Sequence, residues 1–264
     1  MRRVARPVGF GLGIGVCCAS FAISGVTAMA ASLGACKPHM DHGIDRPTAR
    51  AVELSAPALV VPGENGIYDL VVRGVRVGRC ELRTGAPEGR AVRVTSVVQS
   101  DGILDLVVSL RDEVSTVLDL DTGKPRSTRG SFAGMLTGHP DPTAQTELPW
   151  QFSTHNGHSL LIALRGWDAD AGTRAVTTLT VRGASHHVDL LFARREVLHT
   201  AIGALPAVRI EGAIANASSR GEPFHFVLWL ADDWTRAVLR LDTETDFGEI
   251  ASAQIVDYDA PGVE

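Results

Sequence analysis

Ile67-Tyr68-Asp69-Leu70-Val71-Val72-Arg73-Gly74-Val75-Arg76-Val77-Gly78-Arg79-Cys80-Glu81-Leu82 commits this chain to β structure. Two strands, Ile67–Val72 and Val75–Leu82, are predicted with a bend at Gly74. Val75 and Val77, then Cys80 and Leu82, alternate with Arg76, Arg79, Glu81 and Arg83. The alternation slips by one residue at Gly78, and a glycine at a phase slip predicts a β-bulge. Working outward, Ala91–Val98 sets Val92 and Val94 against Arg93 and Thr95, again with period two. Val114–Leu120 reads as a strand closed by an Asp121-Thr122-Gly123-Lys124 hairpin turn. Further strands are predicted at Arg174–Arg182, His186–His199, Leu205–Ala213, Phe224–Leu230, Thr235–Asp242 and Phe247–Tyr258. Turns at Gly183-Ala184, Gly203, Asn216–Gly221 and Asp232-Asp233 separate them. Gly102–Arg111 fits a short buried helix as well as a strand. Ser127–Thr154, punctuated by Gly130, Gly134, Gly138, Pro140, Pro142 and Pro149, reads as a long loop. Ser159–Gly166 reads as a short helix with Leu160, Leu161 and Leu164 on one face, followed by a turn at Trp167–Gly172. Many strands at short spacing, joined by hairpin turns, predict one all-β antiparallel domain. It is a curved sheet or an open or closed β-barrel, with one or two short helices.

The first 36 residues carry an address. Arg2, Arg3 and Arg6 form a basic head, and Pro7–Ala35 holds no charge. Leu33-Gly34-Ala35-Cys36 then matches the cleavage box of a bacterial lipoprotein, with Leu33 for an apolar pocket, small Gly34 and Ala35 at the scissile bond, and Cys36 to take the lipid. Residues 1–35 are expected to be the signal peptide. Lys37 after the lipidated Cys36 leans towards the outer membrane, with the protein facing the periplasm. Alternatives are a transmembrane anchor, since roughly 20 apolar residues span a bilayer, and plain secretion after the Ala28-Met29-Ala30 site. Arg2-Arg3 hints at a twin-arginine signal, but the apolar residues expected just after the pair are absent. Residues 36–63, with Pro38, Pro47, Pro57 and Pro62, read as a flexible tether, and the β domain is expected over 64–264.

Composition narrows the partners. The leader holds three of the 25 Lys and Arg and none of the 30 acids, so Cys36–Glu264 carries a charge of −8. A mildly acidic domain argues against nucleic acid and anionic lipid as electrostatic partners. Setting aside Cys17 and Cys18 in the leader and Cys36 under its lipid leaves Cys80, so no internal disulfide is expected. Cys80 reads as a small core residue in a strand.

No pattern of chemistry stands out. His39-x-x-His42, His155-x-x-His158 and His186-His187 invite metal, but adjacent strand residues point to opposite faces, and the first pair lies in the tether. Asp168 with Asp170, and Asp232 with Asp233, sit at turns and give no sign of carboxyls held across a cleft. Gly-x-Ser-x-Gly, P-loop and dinucleotide fingerprints are absent. Trp150, Trp167, Trp229 and Trp234 could line a sugar-binding face, though with 14 aromatic residues in all core packing calls on most of them. No catalytic residue, metal or cofactor is expected.

Three segments together resemble a known family. They are Glu64-Asn65-Gly66-Ile67-Tyr68-Asp69-Leu70 with Gly74–Gly78; Leu160–Gly172, including Ala163-Leu164-Arg165, with Val197–Gly203; and Phe226–Asp233 with Arg236–Leu241 and Gly248-Glu249-Ile250. This order and spacing resembles the domain-of-unknown-function 3108 family of exported bacterial envelope proteins, over about Glu64 to Tyr258. The resemblance implies a periplasmic or outer-membrane-associated β protein and a structural motif of Trp229, Asp232, Asp233 and Arg236. Trp229 then reads as core, Asp232 and Asp233 as an Asx-type turn, and Arg236 and Arg240 as one face of the next strand. The expected function is non-catalytic binding of an envelope lipid, glycan or protein partner. A hydrolase with an unrecognised site and a purely structural adaptor are the alternatives.

Overall fold

The computed structural model describes residues 51–101, 108–136, 139–140, 144–147, 154–181, 183–216, 223–244 and 250–262. The lipoprotein box Leu33, Gly34, Ala35 and Cys36 therefore lies outside the described residues, as do Trp150 and the first His pair. Strands are β1 (Val52–Glu53), β2 (Asn65–Val72), β3 (Val75–Thr84), β4 (Ala91–Ser100), β5 (Val108–Asp119), β6 (Pro125–Leu136), β7 (His139–Pro140) and β8 (Ala144–Glu147). Helix α1 (Gly157–Gly166) follows, then β9 (Arg174–Val181), β10 (Ala184–Thr200), β11 (Gly203–Asn216), β12 (Phe224–Ala231), β13 (Val238–Glu244) and β14 (Ile250–Asp259). All strands belong to one sheet in the order β1-β9-β10-β11-β12-β13-β14-β2-β3-β4-β5-β6-β7, with β8 also on β6. Every pairing is antiparallel except that of β1 with β9.

The β2–β3 hairpin turns through Arg73-Gly74, with φ of 52° and 75°. Two successive left-handed residues match the right-handed twist of the flanking strands. The predicted bulge is present, since Leu70 faces Gly78 while Val71 faces Arg76. A Cβ on Gly78 would overlap the Gln99 carbonyl oxygen, so the close approach of β4 requires glycine there.

Four expectations change. The region 127–154 is not a loop throughout: β6 pairs with β5 from Leu118↔Pro125 to Val108↔Leu136. Its Ser, Thr and Gly residues show no apolar alternation, yet Gly130 and Gly134 simply sit opposite Val114 and Leu110. The ambiguous 102–111 segment enters strand at Val108, and 102–107 lies outside the described residues. Thr235 belongs to a turn, so the next strand starts at Val238. The domain also begins earlier than Glu64. Leu54, Ala56, Ala58 and Val60 pack on the core, and Val61 is buried. The Leu54 N–H donates to Val176 O and the Leu59 N–H to Ile162 O. Pro57 and Pro62, read as tether marks, suit an extended edge segment equally well.

The sheet is not closed strand to strand. One stretch, Thr154–His158, bonds to both of its margins. The His155 N–H donates to Thr178 O and the Thr180 N–H to His155 O, continuing the edge of β9 beyond β1. The Asn156 amide donates to Thr116 Oγ1 of β5 (3.0 Å) and Thr128 Oγ1 of β6 (2.8 Å). The curved sheet thus wraps α1, and the helix's N-terminus plugs the seam.

Candidate functional site

Helix α1 forms where the sequence places it, and its start is specified locally. Asn156 accepts the Ser159 N–H (2.9 Å), and Ser159 Oγ accepts the Asn156 N–H (2.9 Å), a reciprocal capping box. At the other end the helix meets the incoming chain so closely that a Cβ on Gly166 would overlap the Pro57 carbonyl. Leu160, Leu161 and Leu164 face the sheet across a cavity of about 60 Å³. Tyr68, Phe224, Phe226, Leu228, Leu241 and Ala253 form much of its opposite wall. His158 and Thr243 are among the few polar residues on the lining. His158 already engages Thr116 Oγ1 (2.9 Å). The cavity offers shape and apolar surface, with no converging carboxylates.

The seam beside it carries a His–Ser contact, and its hydrogen bonds decide what it can do. Lys124 Nζ lies 2.7 Å from His155 Nε2, so an ammonium donor makes that nitrogen the acceptor. Nδ1 then carries the proton and points at Ser159 Oγ (3.2 Å). Ser159 Oγ in turn donates to Asn156 O (3.2 Å). Its imidazole neighbour cannot accept its proton, and the hydroxyl is fully buried. This arrangement caps a helix and does not activate a nucleophile.

Burial pushes His158 down to about 4, and burial followed by the Lys124 ammonium pushes His155 down to about 4. Both rings fold neutral. The unfolded chain takes up their protons near pH 6.5, so the stability they confer is complete above that value and is lost as pH falls towards 4. The urea midpoint should fall between pH 6.5 and 5, before most carboxylates titrate, and His158→Gln should flatten that slope. A flat midpoint in the wild-type protein would contradict neutral burial.

The other singled-out residues separate into two groups. Trp229 is 8% exposed, but it lies on the sheet face opposite the cavity-lining Leu228. There the guanidinium carbons of Arg209 and Arg240 each sit 5.3 Å from its ring, and its Nε1–H donates to Glu196 (2.6 Å). Trp229 is core, as expected, and its ring is also flanked by charge: Arg209, Trp229 and Arg240 are directly opposite one another on β11, β12 and β13. Asp233 makes the expected turn, accepting from the Thr235 N–H (2.8 Å), the Thr235 hydroxyl (2.6 Å) and the Arg236 N–H (3.2 Å). Arg236 is not on the next strand face with Arg240. It sits inside the turn at φ 49° and reaches Asp232 (3.1 Å) and Asp168 (3.0 Å). Arg195 completes this partly exposed cluster through Asp168 (2.8 Å) and Asp232 (3.2 Å). Asp233→Asn should be mild, within about 1 kcal/mol, because Asn also supports Asx turns. A larger loss in a denaturation curve would mean the carboxylate charge matters.

Cys80 is fully buried, His186 is buried, and its neighbour His187 is exposed. Sequence reasoning missed Arg165, which is fully buried and donates to Glu64 (2.6 Å) and to Thr235 O (2.6 Å). Its signal was an arginine one position after the Leu face of a short helix. Burial, then the nearby Glu64, raises the Tyr258 phenol.

A family model described as a protein of unknown function, DUF3108, matches residues 67–255. No curated protein matches the chain. Among solved structures, the chain is similar to a beta-barrel-like protein of domain of unknown function DUF1849 from Brucella abortus. That match has 14% identity and a TM-score of 0.52, over 76% of this chain and 99% of that one. A provisionally assigned lipoprotein from Parabacteroides distasonis aligns at 7% identity and a TM-score of 0.37, over 80% and 100% of the two chains. A provisionally assigned exported protein with a YmcC-like fold from Bacteroides fragilis aligns at 11% and 0.36, over 76% and 99%. The Brucella likeness shows a shared fold.

Proposed function

The chain belongs to the DUF3108 family of proteins of unknown function, and we propose that it is a lipid-anchored, periplasm-facing envelope protein that binds the apolar part of a lipid without chemistry. The carrying observation is the cavity between α1 and the sheet, walled by leucine, phenylalanine and alanine side chains. A concave, largely preformed apolar site favours a ligand recognised by burial. Its volume of about 60 Å³ suits the end of an acyl chain, with the rest of the molecule outside. Each methylene that enters contributes about 0.8 kcal/mol, so a few of them give weak, exchangeable binding. The anchor reading rests on the Leu33–Cys36 box.

Titration with cis-parinaric acid, a fluorescent fatty acid, tests the site. Saturable enhancement is expected for the full chain and should be lost in Ala253→Leu, which fills the cavity from the β14 wall. Equal binding by a folded Ala253→Leu protein would place the ligand elsewhere.

A further inference from the structure

We infer that one end of the domain, formed by the tip of the β10–β11 hairpin and the Asp232–Arg236 turn, is a membrane-contact surface that rests on the bilayer holding the lipid anchor. The hairpin runs past its neighbours. Its pairing with β9 stops at Leu191↔Arg174 and with β12 at Ala207↔Ala231, while β10 and β11 pair on to Thr200↔Gly203. The run Val197–Pro206 beyond those pairings contains no Asp, Glu, Lys or Arg, within a chain that is acidic overall, and its Leu198 and Leu205 pack back on the core while other side chains of the run face solvent. Val197 is 63% and Ile202 40% exposed.

The neighbouring turn presents an indole. Trp234 is 60% exposed at the apex, while Asp233 accepts three hydrogen bonds beneath it and Arg236 is tied to Asp232 and Asp168. An Asp232 N–H to Pro206 O bond joins this turn to the hairpin. A braced turn that holds a large aromatic side chain in solvent calls for a partner. Tryptophan with an apolar body and one N–H suits the bilayer interface.

The route of the chain selects the bilayer as that partner. Val52 pairs with Ala175 in parallel, so the chain arrives beside Arg174, next to the 167–173 turn. Asp168 of that turn binds Arg195 and Arg236. Fourteen residues, Lys37–Arg50, separate Cys36 from Ala51, so the chain cannot span more than about 50 Å from the anchored cysteine to this end. Of the five large hydrophobic residues exposed among those described, three (Val197, Ile202 and Trp234) belong to this hairpin and turn, while Val52 stands where the chain enters beside β9 and Val75 at the β2–β3 turn. The chain thus enters at the same end of β9 as the 167–173 turn, which ion pairs tie to the hairpin and to the Trp234 turn.

This inference rests on the lipid-anchor reading, and its test separates the two. The full-length protein is reconstituted into vesicles of phosphatidylethanolamine and phosphatidylglycerol with brominated acyl chains, and tryptophan emission is compared with non-brominated vesicles. Bromine should quench the wild-type protein, and the quenched part should vanish in Trp234→Phe. Ile202→Asp, at an exposed site, should reduce quenching while leaving the circular dichroism spectrum unchanged. Protein that floats with the vesicles but shows no Trp234 quenching overturns the inference and leaves the anchor standing. The intact mass at Cys36 decides the anchor separately. If no lipid is attached, quenching at Trp234 still supports the contact surface, and its absence overturns it.

Discussion

Arg165→Ala should destabilise the domain by about 3–5 kcal/mol, the usual cost of removing one partner from a buried ion pair. Arg165 and Glu64 have side chains exposed by only 1% and 5%. Truncating the arginine leaves the carboxylate desolvated and opposite a void, and frees the Thr235 carbonyl that fixes the Asp232–Arg236 turn. That loss is a large share of the 5–15 kcal/mol that holds a typical domain together. Denaturant midpoints and soluble yield should both drop. The double variant Arg165→Met with Glu64→Leu separates charge from packing: if the uncompensated carboxylate causes the damage, the double variant recovers much of the lost stability. A double variant as unstable as Arg165→Ala would assign the cost to lost contacts instead.

Trp229→Ala should also cost about 3–5 kcal/mol, as for other buried large aromatic residues. The indole is clamped on both flanks by guanidinium groups whose own partners, Glu211 and Asp242, are buried. Its removal therefore exposes a charged row as well as a hole. Trp229→Phe keeps a ring between the arginines but gives up the bond to the Glu196 carboxylate and part of the indole's volume, so it should lose about 2 kcal/mol, in the range of one hydrogen bond to a charged group. Equal losses for the two variants would make the Glu196 bond the dominant contact.

The fold was legible wherever apolar alternation had a polar face opposite it. Val75–Leu82 declared its strands and its bulge, because one slipped residue moves every later side chain to the other face. The family assignment followed from the same segments and is now shown over residues 67–255. Where side chains are small, as in β6, period two leaves no trace, and glycines and prolines look like loop. Residues 51–63 misled for a related reason: extended chain docked on a core needs neither hairpin turns nor strong alternation. The motif of Trp229, Asp232, Asp233 and Arg236 was visible, but its purpose was not. Trp229 and Asp232 point into charge networks built by residues from four separate segments, and only the folded register brings Arg209, Arg240, Asp168 and Arg195 to them. The cavity was equally hidden, since a gap between a helix and a sheet is a property of packing and has no sequence of its own.

Native mass spectrometry of the full-length protein, purified from its own membranes, tests the ligand reading most directly. The expected spectrum shows the chain cut before Cys36 with a diacylglyceryl mass attached, and a second population carrying one non-covalent molecule with an acyl chain. The Ala253→Leu protein should keep the first mass and lose the second. A wild-type spectrum with no bound acyl molecule, in a protein that also fails to take up added fatty acid, would contradict the account.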